Sequence, residues 1–418
     1  MKFRHDVLRA LPVITLVCGL LPTPTEAQFS QQGPKLVGIG AVGPAEQGLS
    51  VSLSADGNTA IVGGPADDVS TGAAWVFTRS GGVWTQQAKL IGSGGPPTFN
   101  AEQGVSVSLS ADGNTAILGG NDPIGAAWVF TRSGGVWSQQ GPPLTGTGVV
   151  GNADQGLSVS LSSDGNTAVI GGPHDDNDTG AAWVFTRSGG VWTQEGLKLV
   201  GKDVIGPAEL GFSVSVSADG NTAIVGGPID DTRGCCGPSE RSSAGAAWVF
   251  TRARGVWTQQ GPKLVGTGAV GAEQGYSVSL SGDGTIAILG GPFDDNDTGA
   301  AWVFTRSGGV WTQQGLKLIG IGAVGAALQG NSVSLSADGT TAILGGPFDD
   351  GTAGAVTAGA AWVFAQPVFA GTPGKSNCHG QSVSALARQY KGLNTAAAAL
   401  GYADVSALQS AIMVFCGG

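Results

Sequence analysis

Two stretches of closely spaced carboxylate and amide side chains are the first candidates for chemistry. They are identical quartets, formed by Asp175, Asp176, Asn177 and Asp178, and by Asp294, Asp295, Asn296 and Asp297. Oxygen atoms of this kind are the ligands that calcium prefers, so a calcium site is predicted at Asp176 and Asp178 and at Asp295 and Asp297. The alternative is an ordinary turn, because Asp and Asn before Thr-Gly readily bond to their own backbone.

The cysteines favour disulfide chemistry over metal ligation. Cys18 lies in an apolar N-terminal run, which leaves an even number in the remaining chain: Cys235, Cys236, Cys378 and Cys416. In an oxidising compartment such a set favours disulfides. Cys235 and Cys236 are adjacent, and they could form a strained vicinal disulfide with a binding or redox role, or remain two surface thiols.

Catalytic chemistry finds little support in the residue types. An enzyme needs a base, a nucleophile or a metal cluster that stands apart from the structural repeat. Beyond residue 27 the chain has two histidines, His174 and His379, and they fall in different predicted domains. Its many serines recur at fixed strand positions, so we expect no enzyme, although a propeller hydrolase or lyase with axial carboxylates stays an alternative.

The elements that must position these side chains come from an internal repeat. The stretch QGLSVSLSADGNTAIVGGPADD begins at Gln47, and close copies begin at 103, 155, 210, 274 and 329. Each copy reads as four alternating segments separated by Asp-Gly, Gly-Pro and Gly-Gly, which is the signal for antiparallel strands joined by hairpins. The interval suits one four-stranded propeller blade per copy.

All 11 tryptophans recur at two fixed places in this repeat. Those of the third strand are Trp75, Trp128, Trp183, Trp248, Trp302 and Trp362, and those of the fourth are Trp84, Trp137, Trp192, Trp257 and Trp311. An aromatic residue at fixed register could line a ligand-stacking ring. We instead interpret both rows as apolar side chains packed between adjacent sheets.

The sixth copy lacks its fourth strand, and the N-terminus offers a replacement. After GAAWVF at 359–364 the expected VWTQQ segment is missing, whereas QFSQQGPKLV at 28–37 closely matches VWTQQGPKLV at 256–265. We predict that this segment completes the last blade and removes its exposed edge. The predicted fold is therefore all-β, a six-bladed propeller over 28–366 closed by its N-terminal strand.

The repeated motif identifies a family resemblance. GFSVSVSADGNTAIVGGP at 211–228, followed by GAAWVFTR, resembles the FG-GAP repeat of integrin α-subunit propellers and of many exported bacterial proteins. The likeness covers roughly residues 28–365. Integrin-type repeats often bind calcium in a long acidic hairpin between the first two strands. Here that hairpin is only Asp56, Gly57, Asn58 and their equivalents, so the family's calcium role does not transfer to those positions.

The connections of a meander alternate between its two ends, so the two faces of the ring should differ. One face carries uniform ADGN and RSGG turns. The other carries loops of variable length and high acid content, of which the longest runs from Ile229 to Ala244. Because length variation among repeats falls where function can diverge, we expect the binding surface on this variable acidic face.

Both ends of the chain differ from the repeat. Residues 1–27 combine a basic start, an apolar run and Thr25-Glu26-Ala27, which predicts a signal peptide cleaved near Ala27 and export to the periplasm, the cell surface or the medium. A linker is predicted at 367–375. Residues 376–418 predict a helical module closed by a disulfide between Cys378 and Cys416, with Asp404 as an N-cap. It is similar to a short C-terminal module of exported proteins from soil bacteria.

Charge and composition narrow the choice of partners. The formal charge of -10 disfavours nucleic acid, whose binding requires clustered Lys and Arg. No segment after the N-terminal run is long and apolar enough to be a transmembrane helix. We expect a monomeric, exported, non-catalytic module that binds a protein or glycan in adhesion. Calcium is the one cofactor that the sequence suggests. A structural envelope protein without a small ligand is the other alternative.

Overall fold

The computed structural model describes residues 32–95, 100–121, 124–230, 243–349, 359–365, 374–399, 402 and 404–416. The chain divides into two compact units, Met1–Leu36 and Val37–Gly418. Residues 32–36 of the first unit contain no helix or strand. The predicted signal peptide, residues 28–31 of the predicted closing strand and most of the predicted linker lie outside the described residues.

The second unit contains six antiparallel sheets built on one plan, with strand order following chain order in each. Blades 1 to 3 comprise Val51–Leu53, Thr59–Gly64, Ala73–Ser80 and Val83–Leu90; Ser106–Leu109, Thr115–Gly120, Ala126–Ser133 and Val136–Gln139; and Ser158–Leu161, Thr167–Gly172, Ala181–Ser188 and Val191–Gln194. Blades 4 to 6 comprise Ser213–Val216, Thr222–Gly227, Ala246–Ala253 and Val256–Gln259; Ser277–Leu280, Ile286–Gly291, Ala300–Ser307 and Val310–Gln313; and Ser332–Leu335, Thr341–Gly346 and Ala360–Ala365. The predicted six-bladed β-propeller is confirmed. In blade 6 three strands belong to the part of the chain that the structure describes.

Blades 2 to 5 each pack the third-strand tryptophan and the apolar residues of the first strand against the preceding blade. At the junction of blades 2 and 3, Trp183, Val159 and Leu161 of blade 3 meet Ile117 and Val129 of blade 2. The same positions form the cores at the neighbouring junctions. The apolar alternation in the repeat therefore encodes blade-to-blade packing, since one sheet alone cannot bury both of its faces.

The double glycine that ends the second strand is required by this packing. A Cβ atom built on Gly171 would lie 2.0 Å from the carbonyl oxygen of Gly211 in the next blade. This contact is far closer than any real Cβ makes, and the obstructing atom belongs to the backbone. The approach of one blade to the next therefore excludes a side chain at Gly171.

The serines of the first strand join the blades by hydrogen bonds. Ser106 Oγ donates to the carbonyl of Gly156 in the next blade, and Ser108 Oγ accepts the backbone N–H of Leu161 at 3.1 Å. The equivalent of the first bond recurs from Ser50, Ser158, Ser213 and Ser277. The first strands of neighbouring blades are thus adjacent around the axis, and the repeated serines have structural partners.

The junction between blades 6 and 1 differs from the others. Val51 and Leu53 of blade 1 are 67% and 61% exposed, whereas the equivalent Val159 and Leu161 are 8% and 7% exposed. On the facing side of blade 6, Val363 is 66% exposed. The apolar residues that are buried at the other junctions are therefore present at this junction too, but their side chains are exposed.

Three helices follow the propeller: Cys378–Gln389, Leu393–Ala399 and Val405–Cys416. Leu386, Leu408 and Ile412 are buried between them, in agreement with the predicted helical module. The middle helix, which contains an alanine run, was not predicted as a separate element. The Ala407 backbone N–H donates to Asp404 Oδ1 at 2.8 Å, which confirms the predicted N-cap. Cys378 and Cys416 form the predicted disulfide.

Reducing this disulfide is expected to unfold the helical module while the propeller stays folded. The bond closes a loop with a sequence separation of 38 residues, and a loop of this size stabilises a fold by about 4 kcal/mol. We expect a Cys378→Ser, Cys416→Ser double variant to lose helical circular dichroism at a lower temperature than the parent protein. Retention of the helical signal at the parental temperature would contradict this expectation.

Candidate functional site

The two faces of the ring carry different chemistry. The turn face is defined by the turns that join strands one to two and three to four. The loop face is defined by the loops that join strands two to three and by the segments that enter each first strand.

Hydrogen bonds within each ADGN-type turn fix its aspartate on the turn face. Ser54 Oγ and the Asn58 backbone N–H both donate to Asp56 Oδ1, at 2.6 and 2.9 Å. These bonds, that from Ser54 foremost, lower the pKa of Asp56 to about 2. Asp338 in blade 6 has the same arrangement and a pKa lowered to about 2. These carboxylates are therefore structural, as the sequence predicted for so short a hairpin.

The arginines of the turn face are also engaged. Arg187 lies over the ring of Trp192 at 5.3 Å, and its guanidinium donates to Gln140 of the preceding blade at 3.1 Å. Trp192 Nε1 donates to the same glutamine oxygen at 3.0 Å. This arrangement recurs in Arg132 over Trp137, Arg252 over Trp257 and Arg306 over Trp311. The fourth-strand tryptophans therefore make cation–π contacts in addition to the apolar packing that we predicted, because Trp137, Trp192, Trp257 and Trp311 also pack against the cores between blades.

In four of the blades the first aspartate of the acidic loop is structural. Asp175 is fully buried, accepts the backbone N–H of Val150 at 2.8 Å and pairs with Lys198. Asp294 accepts the N–H of Val270 at 2.8 Å and pairs with Lys317 at 2.5 Å. The same pair recurs as Asp67 with Lys89 and as Asp230 with Lys263. The first residue of each predicted quartet is thus a buried structural residue, and only the three residues that follow it are available as a candidate site.

The remaining residues of the quartets are held in a left-handed turn. Asp176 and Asn177 have φ/ψ of 51°/59° and 55°/54°, and Asp178 has φ of 64°. Asp295, Asn296 and Asp297 repeat this conformation in blade 5. A run of three such residues is costly for L-amino acids, and Asp and Asn tolerate it best. The backbone of both quartets thus forms a turn, as one of the two interpretations of the sequence predicted. The exposed residues of these turns are Asp176, Asn177, Asp178, Asp295 and Asn296.

Backbone hydrogen bonds tie each left-handed turn to the next blade. In blade 3 the Glu209 N–H donates to the Asp178 carbonyl at 2.8 Å, and the Leu210 N–H donates to Thr179 at 3.0 Å. In blade 5 the Leu328 N–H donates to Asp297 at 2.9 Å. The exposed acidic side chains therefore stand on a fixed backbone beside the entry to the neighbouring first strand.

Calcium binding at these turns stays a prediction. In the described part of the chain, no group of three or more His, Cys, Asp or Glu side chains is arranged to hold a metal ion. The buried carboxylates of Asp175 and Asp294 are paired with the ammonium groups of Lys198 and Lys317. Cys235 and Cys236, the other predicted site residues, lie outside the described residues.

One acidic loop carries a histidine. His174 Nδ1 lies 2.8 Å from Asp178 Oδ1, and its Nε2 lies 3.6 Å from Asp154 Oδ2. Burial, together with the nearby charge of Asp178, raises the pKa of Glu209, while His174 acts in the opposite direction. The structure thus brings four titratable side chains together between blades 3 and 4, a grouping that the repeat alignment did not suggest.

An aromatic cluster on the loop face was not predicted from the sequence. Phe212 and Tyr276, which immediately precede the first strands of blades 4 and 5, have ring centroids 4.8 Å apart. Phe293, at the end of the next strand, lies 6.0 Å from Tyr276 in an edge-on arrangement. All three rings are half-buried. The sequence did contain a signal for this cluster, at the residue that follows Gln-Gly, or Leu-Gly in blade 4. In successive copies this residue is Leu, Val, Leu, Phe, Tyr and Asn.

Comparisons with known proteins identify no family for this chain. No protein-family model matches the chain, and no curated protein matches it. The FG-GAP resemblance is therefore unconfirmed. Among solved structures, the chain is similar to the hydrazine synthase of Kuenenia stuttgartiensis, at 12% identity and a TM-score of 0.47, covering 76% of this chain and 83% of that one. It is also similar to the periplasmic gluconolactonase of Pseudomonas aeruginosa, at 16% identity and a TM-score of 0.49, covering 76% and 80%.

The fold and the two faces define a β-propeller repeat protein with an acidic, aromatic loop face. Among the described helices, none has the length and apolar character needed to cross a bilayer.

Proposed function

We propose that the protein is an exported, non-catalytic binding module that holds a protein or glycan on its loop face, as an FG-GAP-type adhesion propeller would. The contrast between the two faces is the observation that carries this proposal. On the turn face the Ser, Asp, Arg and Trp side chains described above make contacts that repeat from blade to blade. On the loop face the loops differ in length and in exposed side chains, apart from the identical acidic turns of blades 3 and 5.

The rigidity of the loop face supports this role. Its left-handed turns are fixed at both ends, by the buried Asp–Lys pair before them and by backbone bonds to the next blade after them. A surface whose backbone is already ordered loses little conformational entropy on binding. Strained left-handed residues also concentrate at functional sites.

A non-catalytic role agrees with how the potential nucleophiles are used. The strand serines have backbone partners in neighbouring blades, as Ser106 does with Gly156. The two ring nitrogens of His174 contact the carboxylates of Asp154 and Asp178. Neither of these contacts is with a serine hydroxyl or a cysteine thiol. The strand serines are thus engaged in structural contacts, and His174 is engaged with carboxylates.

The test is affinity capture from envelope and extracellular fractions with the purified protein, in calcium and again in EDTA. We expect a partner to be retained, and we expect the double variant Asp295→Ala, Asp297→Ala to reduce the retained amount at least about 3-fold, since interface charges commonly contribute at this level. Val191→Ala, an exposed residue at the turn face, is the matched control and should leave retention unchanged.

The buffers separate the possible outcomes. Retention lost in EDTA would support the predicted calcium sites at Asp176, Asp178, Asp295 and Asp297. Retention that is equal in both buffers would keep the binding role and remove the metal from it. An absence of any retained partner would contradict the binding role and favour a structural envelope protein.

A further inference from the structure

Two asparagines of the chain begin an Asn-x-Thr triplet. The triplets are Asn177-Asp178-Thr179 and Asn296-Asp297-Thr298, and no other asparagine in the sequence has Ser or Thr two residues later. Asn-x-Ser/Thr, with any middle residue except Pro, is the acceptor sequence for an N-linked glycan in exported proteins. Both triplets fall at the same repeat position, in the acidic turns of blades 3 and 5 on the loop face.

The structure places both acceptor side chains at the surface. Asn177 and Asn296 have φ/ψ of 55°/54° and 58°/51°, so they occupy the same central position of the left-handed turn. Both residues are exposed. Among the contacts that the described residues make, neither side-chain amide takes part in a hydrogen bond. The amide nitrogen of each asparagine is therefore accessible for a covalent modification.

The asparagines of the ADGN-type turns differ on both counts. Asn166 Nδ2 donates to Asp164 Oδ2 at 3.0 Å, and Asn166 Oδ1 accepts the Arg187 Nε–H at 2.9 Å. The same two bonds occur at Asn58, Asn114 and Asn221. These asparagines begin Asn-Thr-Ala, so the hydroxyl stands one residue too early for an acceptor. The repeat thus contains structural asparagines in one turn and two exposed candidates for modification in another.

We propose that Asn177 and Asn296 are sites of N-linked glycosylation. The co-substrate is a lipid-linked oligosaccharide, used by a transferase in the compartment through which the chain is exported. Asn Nδ2 forms a bond to C1 of the first sugar, and the bond from that carbon to the lipid pyrophosphate breaks. The lipid pyrophosphate leaves, the amide proton passes to a base of the transferase, and nothing is oxidised or reduced. This inference goes beyond the binding role and rests on the export that the proposed function includes.

Backbone hydrogen bonds indicate when the transfer takes place. The Asp178 carbonyl accepts the Glu209 N–H at 2.8 Å, and the Thr179 carbonyl accepts the Leu210 N–H at 3.0 Å. The equivalent bonds hold the triplet of blade 5 against blade 6. A transferase that binds the triplet needs these residues away from the next blade, so we expect transfer during export, before the blades pack. The attached glycan would then project from an exposed turn, as a bulky polar group requires.

The test uses the full chain, purified from the envelope and extracellular fractions of the cells that produce it. Its intact mass is compared with the mass of the polypeptide, and fragmentation of the peptides that contain Asn177 and Asn296 locates any added mass. We expect carbohydrate on both asparagines. A mass that the polypeptide alone accounts for would overturn the proposal.

Substitutions in the two triplets assign the sites. Asn177→Asp and Asn296→Asp remove the acceptor amide but tolerate the left-handed conformation, so each should remove one of the two glycans and the double variant both. Thr298→Ala should remove the glycan of blade 5, whereas Thr298→Ser keeps the hydroxyl and should retain it. Carbohydrate that persists on the double Asn→Asp variant would show that the assignment is wrong.

Blade 1 offers a test by gain of a site. Val69 occupies the position of the two asparagines, is 83% exposed, has φ/ψ of 56°/48° and is followed by Ser70 and Thr71. Val69→Asn therefore completes an acceptor triplet on the same turn, and we expect a third glycan at residue 69. Val69→Asp is the matched control and should add none. If Val69→Asn adds no mass, the argument that this turn position accepts a glycan fails.

The outcomes separate this inference from the proposed function. Exported protein without carbohydrate would overturn the glycosylation sites alone, and capture of a partner by that protein would leave the binding role in place. Protein found only in the cytosol would overturn both the export and the glycosylation, because the acceptor triplets would never meet the transferase.

Discussion

Replacing Asp294 with alanine should destabilise the propeller by about 3–5 kcal/mol, because the ammonium group of Lys317 would remain largely buried without its partner. Asp294 is fully buried and Lys317 is about one-fifth exposed, so water cannot readily compensate for the loss. The Val270 backbone N–H would also lose its acceptor. We expect the urea unfolding midpoint to fall accordingly.

Asp295→Ala is the matched control for this prediction. It removes the adjacent carboxylate of the same quartet, but that residue is exposed, and such substitutions usually change stability by no more than about 0.5 kcal/mol. The double variant Asp294→Leu, Lys317→Met removes both charges and should recover much of the lost stability. A larger loss for Asp295→Ala than for Asp294→Ala, seen only with calcium present, would instead indicate a metal-binding loop.

The architecture could be predicted because six copies in phase carry the same information. The repeat contains three features that each favour one local structure: the alternation in SVSLS, the double glycine at the end of the next strand, and the Asp-Gly and Gly-Gly turns. Each feature occurs in all or nearly all of the six copies. Stacking of identical units then determines which faces are buried. The helical tail was predicted from fewer signals, and its middle helix escaped because the alanine-rich run Leu393–Ala399 shows little apolar periodicity.

The candidate site was less predictable because it depends on partners far apart in sequence. Nothing in DDND distinguishes the first aspartate, which pairs with a lysine 23 residues later, from the second, which faces solvent. The contact of Phe212 with Tyr276 joins two blades, and the repeat alignment treats these residues as variation at one position. A comparison of what each copy changes, rather than of what it repeats, would have pointed to them.

The same limit applies to the tryptophans, which the sequence presents as two equivalent rows. Trp183, on the third strand, is fully buried, and its Nε1 donates to the Thr147 carbonyl at 2.9 Å. Trp192, on the fourth strand, is half-buried under the guanidinium of Arg187. Because both positions recur at fixed spacing, only the packing of one blade on the next distinguishes them.

Trp183→Ala should therefore destabilise the protein by about 3–5 kcal/mol, since it leaves a large cavity at the junction of blades 2 and 3 and removes the hydrogen bond from Trp183 Nε1. The backbone around the ring fits it closely: a Cβ atom on Gly146 would lie 2.0 Å from Trp183 Cδ1. Trp192→Ala removes mainly an Arg–aromatic contact and partly exposed area, and about 1–2 kcal/mol is expected. The two unfolding midpoints should thus separate clearly in urea. Equal losses would mean that the two rows are energetically equivalent, as the sequence repeat alone implies, and that burial at the blade junction does not determine stability.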